Sequence, residues 1–197
     1  MKKILITAFN PFGGKTTNAS LDVLKNLDFN LANVNIYTMI LPTVFSTVED
    51  VLLSKIDLVN PDIILLLGEA GNAKAIRVER VAINIDDARI PDNLGRQPID
   101  QAIKKDGHTA YFSNLPIKNL VKDLNQNHIH AVVSNTAGTF VCNHIMYLTL
   151  DYLHRKKADN TIAGFIHFPY IHNQNDLNTY TDGLKIIIKS CLDHISS

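Results

Sequence analysis

The run Asp62–Leu67, DIILLL, constrains the fold of this 197-residue chain more than any other stretch. Side chains alternate between the two faces of a strand, so an unbroken aliphatic run is apolar on both faces. Such a strand must be covered on both sides, as in a parallel sheet between two layers of helices. Lys3–Phe9 (KILITAF) and Thr161–Phe168 (TIAGFIHF) have the same character, and Asn10-Pro11 and Pro169 stop them. Val34–Leu41, ended by Pro42, and Ala131-Val132-Val133 read as further strands.

Helical spacing fills the intervals. Leu21, Leu24 and Leu27 follow a start at Thr17 or Asn18, either of which can cap a helix. Ser46-Thr47-Val48-Glu49 fits a capping box ahead of Val51, Leu52, Ile56 and Val59. Pro116 suits a first helical turn before Leu120, Val121 and Leu124. Met146, Leu148, Leu150 and Leu153 mark another helix. The last one carries Leu177, Tyr180, Leu184, Ile187, Ile188, Cys191 and Ile195 on one stripe, which makes Cys191 a packing residue. The middle is irregular: Ile76–Asn84 reads as extended, and Asp86–Pro98 is a turn-rich polar loop. Strands alternating with helices predict an α/β fold, a three-layer α/β/α sandwich around a largely parallel, mixed sheet. Residues 1–197 read as one domain, without internal repeats or linkers.

Composition narrows the function classes. Lys plus Arg number 19 and Asp plus Glu 19, so the formal net charge is zero. Neither nucleic acid nor an anionic membrane is implied as a partner. Two cysteines argue against a disulfide framework, and no His, Cys or carboxylate spacing suggests a metal. The apolar run after Met1-Lys2-Lys3 is too short for a signal peptide, and none spans a bilayer. A cytoplasmic protein is expected, with its thiols reduced.

Open α/β sheets gather their sites beyond the carboxyl ends of the strands. Asn10–Gly14, Gly68–Asn72, Ala137–Cys142 and His167–Pro169 are expected there. Cys142 falls where a turn becomes a helix, so the helix dipole and unpaired N–H groups favour its thiolate. His167 can take the thiol proton from the same rim. Glu79, among Val78, Val81 and Ile83, is a carboxylate in apolar company and needs a partner. It can orient His167, or pair with Arg77 or Arg80. The plain alternatives for the other two are an inert buried thiol and a polar strand end. Phe12-Gly13-Gly14 could cradle a phosphate but lacks the lysine and spacing of a P-loop.

At this point the motifs form a pattern. FNPFGG (Phe9–Gly14), LPTVF (Leu41–Phe45), RVERVAIN (Arg77–Asn84) and DARIPDNLGRQP (Asp87–Pro98) occur in order. LPIK (Leu115–Lys118), SNTAGTFVCNHIMY (Ser134–Tyr147) and GFIHFPYI (Gly164–Ile171) follow. The chain so resembles the pyroglutamyl peptidase I family (pyrrolidone carboxyl peptidase), cysteine peptidases that remove an N-terminal pyroglutamyl residue. The resemblance implies Cys142 as nucleophile, His167 as general acid/base and Glu79 as the group orienting it. It implies a ring pocket at Phe9, Phe12, Asn18, Thr43, Ile90, Phe140 and Val141, with Glu69 near it. It also implies substrates that are peptides with N-terminal pyroglutamate, a homotetramer, and no metal or cofactor. Two departures stand out. Glu69 and Ala73 occupy positions where the family commonly has glutamine and arginine, and His172-Asn173 replaces a common Pro-Glu pair. An inactive domain that binds cyclised N-termini and a phosphorylase-like α/β/α enzyme are the competing readings.

Overall fold

The computed structural model describes residues 1–196. Eight strands and five helices follow in chain order: β1 (Lys2–Phe9), α1 (Ala19–Lys25), β2 (Val34–Leu41), α2 (Phe45–Val59), β3 (Ile63–Glu69), β4 (Ile76–Glu79), β5 (Val81–Ile83), β6 (Ala110–Phe112), α3 (Ile117–Gln126), β7 (Ala131–Ser134), α4 (Val141–Lys156), β8 (Ile162–Phe168) and α5 (Gln174–Ser196). Six strands form one sheet in the order β2-β1-β3-β8-β4-β7.

The aliphatic runs become the central strands. β1, β2, β3 and β8 are mutually parallel, with Ile63–Glu69 of β3 in register with Ile162–Phe168 of β8. Period-two alternation sorts their side chains. Ile4, Ile6, Leu65, Leu67, Ile166 and Phe168 pack under α1, α3 and α5. Leu5, Phe9, Ile64, Leu66, Ala163 and Phe165 pack under α2 and α4. Three layers result, as the apolar pattern requires. Burying each such aliphatic side chain contributes about 1.5–3 kcal/mol. No helix among the described residues is long and apolar enough to cross a membrane.

Three local expectations change. The extended segment Ile76–Asn84 is two strands: β4 joins the main sheet, and β5 pairs with β6 in a separate hairpin-like sheet. β4 pairs antiparallel with β8 and parallel with β7, so these two short strands run against the rest. The capping box at Ser46–Glu49 is not used. α2 starts at Phe45, and its first N–H donates to the Asp92 carboxylate at 2.9 Å. A buried acceptor supplied by a loop replaces the local cap. By contrast, Asn18 caps α1 as expected, its side chain accepting from the Ser20 N–H.

Candidate active site

Sheet register assembles the site. His167 lies opposite Gly68 in the β3–β8 pair and opposite Arg77 in the β4–β8 pair. Directly opposed residues point to the same face, and residues two apart on a strand do likewise. Gly68, Arg77, Glu79 and His167 therefore share the face that carries α4. The antiparallel course of β4 brings its last residue, Glu79, back along β8. His167 Nδ1 meets Glu79 Oε1 at 2.8 Å, and Glu79 is fully buried. Of the partners open to Glu79 from sequence, the histidine is the one it meets; Arg77 and Arg80 form no ion pair with it. The other Glu79 oxygen is buried with no hydrogen-bond donor, so His167 carries most of its compensation.

Cys142 is the second residue of α4 and is half-buried. The N-cap is Phe140, whose side chain makes no capping hydrogen bond. First-turn N–H groups are thus left for whatever negative charge stands there, including a thiolate. The sulfur lies over Gly68: a Cβ at that glycine would sit 3.1 Å from Cys142 Sγ and 2.7 Å from the Phe165 ring. His167 lines the same cavity as Cys142, and its Nδ1 is held by Glu79. Burial opposes charge on His167, but its bonds and charge interactions with Cys142 and Glu79 outweigh it. The imidazole pKa rises from 6.5 to about 9. Across neutral pH the histidine is an imidazolium between two acids. Cys191 lies fully buried on α5, in the opposite layer, and burial pushes its thiol up to about 12.

A cavity of about 440 Å³ opens beside Cys142 and His167, walled by Phe12, Phe140 and the segments Ala70–Ala73 and Thr136–Gly138. The Phe12 and Phe140 rings stand 5.9 Å apart, and Phe140 packs edge-on against Phe45. Ile90 approaches the left-handed Gly13, whose added Cβ would lie 3.4 Å from Ile90 Cδ1. Five of the expected pocket residues, Ile90 among them, do not line the cavity. Phe9 is buried against Phe165, and Val141 is buried in α4. The Thr43 hydroxyl bonds Asn10. The Asn18 amide is spent on Ser20 and the Asn10 carbonyl, which leaves it holding the Asn10–Gly14 turn in place.

Glu69 borders the cavity, but its carboxylate turns to the opposite face. It takes the Ala19 N–H at 2.8 Å and the Lys15 ammonium at 2.9 Å. A carboxylate so matched by a cation and a helix N-terminus puts no bare charge beside Cys142. At the other departure, Asn173 and Asp176 cap α5 reciprocally, bonding the Asp176 and His172 N–H groups.

Sequence reasoning passed over Asn143, His144, Asp86 and Asp92. Asn143 ties α4 to the Ile83 and Ile85 backbone, and His144 Nδ1 pairs with buried Asp86 at 2.8 Å. Asp92 also accepts from the Leu94 and Arg96 N–H groups. Together they hold the Asp86–Pro98 loop against α2 and α4. The available signal was two polar residues in the apolar start of a helix, which must find partners. Among the described residues no group of three His, Cys, Asp or Glu could hold a metal ion.

Known proteins resemble this chain closely in sequence and in fold. A family model for pyroglutamyl peptidase matches residues 2–190. Pyrrolidone-carboxylate peptidase 2 of Caldanaerobacter subterraneus subsp. tengcongensis is 48% identical over 202 residues, spanning 96% of this chain and 98% of its own. A Clostridium perfringens pyrrolidone-carboxylate peptidase is 48% identical over 197 residues, covering 95% and 92%. Among solved structures, Bacillus amyloliquefaciens pyroglutamyl peptidase I superposes with a TM-score of 0.92 at 40% identity, over 99% of this chain and 98% of the other. A mutant pyrrolidone carboxyl peptidase from Pyrococcus furiosus gives 0.92 at 36%, over 98% and 99%. A likeness this complete, in sequence and in fold alike, makes the chain a member of the pyroglutamyl peptidase family.

Proposed function

We propose that residues 1–197 form one catalytic domain, a cysteine peptidase that removes N-terminal pyroglutamyl residues. The observation that carries this reading is His167, held at 2.8 Å by buried Glu79 and placed with Cys142 at the edge of one cavity. A nucleophile, a proton carrier and an orienting acid occur in sequence of contact, as acyl transfer requires. Pyroglutamate is a neutral lactam, and the Phe12 and Phe140 walls suit its ring at little desolvation cost.

In the reaction, the Cys142 sulfur attacks the carbonyl that joins pyroglutamate to the next residue. The carbonyl π electrons move to oxygen, where N–H donors meet the charge. The Cys142 N–H is one. In the neighbouring loop, the Asp87 and Ala88 N–H groups are committed to Thr139 and Pro98 carbonyls, so the second donor falls to Arg89 or Ile90. As the tetrahedral intermediate collapses, the C–N bond breaks and the His167 imidazolium protonates the departing amine. Neutral His167 then takes a proton from water, whose oxygen attacks the thioester. The C–S bond breaks, pyroglutamate leaves, and the thiolate–imidazolium pair is restored. Glu79 keeps the imidazole ring oriented throughout. The reading extends to a cytoplasmic homotetramer, as for the resemblance noted above.

A fluorogenic pyroglutamyl amide tests the reading. A folded, reduced sample should release the fluorophore, keep doing so in EDTA, and stop after iodoacetamide. Absence of turnover in such a sample would favour the lactam-binding alternative.

A further inference from the structure

Two guanidinium groups line the cavity, those of Arg77 and Arg89. Arg77 is half-buried and Arg89 exposed. Among the described residues neither has an ion-pair or hydrogen-bond partner, whereas Arg155 is paired with Asp151 and Asp106. A half-buried cation without a counterion is an incomplete arrangement, because burial removes water and nothing on the protein replaces it. The other charges at the cavity do not complete it. Glu69 faces Lys15 and the start of α1, and the acids near His167 and Cys142 are matched by the imidazolium. The cavity wall therefore carries two unmatched positive charges beside the catalytic pair.

The lactam that the proposed function places against Phe12 and Phe140 has no charge to offer them. The position of Arg77 is informative here. It pairs with His167 across β4 and β8, and so lies next to the group that protonates the departing amine. We infer that Arg77, together with Arg89, forms an anion-binding subsite for the leaving side of the substrate. It would favour peptides whose residue after pyroglutamate carries a carboxylate, as Asp, Glu, or the free C-terminus of a dipeptide. A guanidinium grips a carboxylate with two parallel N–H bonds, which suits a planar anion better than a point charge would. The inference rests on the peptidase reading, and its test separates the two.

The experiment compares kcat/KM for two tripeptide amides that differ only in the second residue, pyroglutamyl-Glu-Ala-amide and pyroglutamyl-Gln-Ala-amide. Their ratio within each protein cancels any general change in activity. A partly exposed charge pair predicts a ratio of about fivefold in favour of Glu at low salt, shrinking in 0.5 M salt, where screening is about twice as steep as at physiological strength. Arg77→Gln should bring the ratio close to one, and Arg77→Glu should invert it. Arg89→Gln should lower it by less. A wild-type ratio of one or below overturns the inference, and the wild-type value needs no variant to fold. So does a ratio that survives both glutamine substitutions. A sample that cleaves neither peptide, although folded and reduced, overturns the peptidase reading itself.

Discussion

Of the three side chains in the proposed triad, His167 is the one whose environment says most. Its pKa of about 9 arises because Cys142 and Glu79 together outweigh its burial. His167 is therefore an imidazolium from neutral pH up to that value. Turnover of a pyroglutamyl amide should hold through neutral pH and fall with an apparent pKa near 9, as the proton needed by the departing amine is lost. The same raised pKa links to stability. The contribution is fully present below the unfolded value of 6.5 and is lost as pH rises through about 9. Replacing Glu79 by Gln removes one of the two supports, so the alkaline limb should move to lower pH while turnover drops; a limb that stays in place would take Glu79 out of the coupling. The two cysteines should also behave differently. With its thiol pushed to about 12, Cys191 should resist iodoacetamide at pH 8 in the folded protein, while Cys142 is alkylated; peptide mass mapping reads this directly.

At the scale of elements, the site depends on how β3 and β8 lie in register. Gly68 sits opposite His167 because a side chain there would collide with the Phe165 ring and crowd Cys142. Gly68→Ala should therefore reduce turnover by more than tenfold and lower the melting temperature, since a Cβ 2.7 Å from packed ring atoms forces one of them to move. A variant with wild-type activity would show that the thiol is not seated where described. Elsewhere the structure shows why local patterns mislead. Ser46–Glu49 has a capping-box spacing, yet α2 begins two residues earlier than that box implies because Asp92, 47 residues away, supplies the acceptor. No pattern within α2 could have revealed that. Asp92 satisfies three backbone N–H groups, so Asp92→Ala should cost about 1–3 kcal/mol in urea unfolding.

For the molecule as a whole, the layered α/β/α arrangement was legible because its signal is redundant. The runs Lys3–Phe9, Asp62–Leu67 and Thr161–Phe168 are apolar on both faces, and only helices on both sides can cover them. The reversed direction of β4 and β7 was not legible. Four-residue strands carry no mark of polarity, and their course is set by packing against β8. That reversal matters, since it returns Glu79 along β8 to His167. The cysteine's position at a helix start could be read from local sequence, whereas its meeting with His167 at one cavity depends on strands that meet only in the folded sheet. Glu69 illustrates the same limit from the other side. It stands near the expected pocket where the family commonly has glutamine, but strand alternation aims its carboxylate at Lys15 and α1.

The central claim is that Cys142, activated by His167, is the nucleophile of a pyroglutamyl peptidase. Its most direct test is the turnover number on a pyroglutamyl amide for wild type, Cys142→Ala and Cys191→Ala, with matched melting curves establishing that all three are folded. The expected result is complete loss in Cys142→Ala and near wild-type turnover in Cys191→Ala. Residual wild-type turnover in folded Cys142→Ala, or loss in folded Cys191→Ala alone, would contradict it.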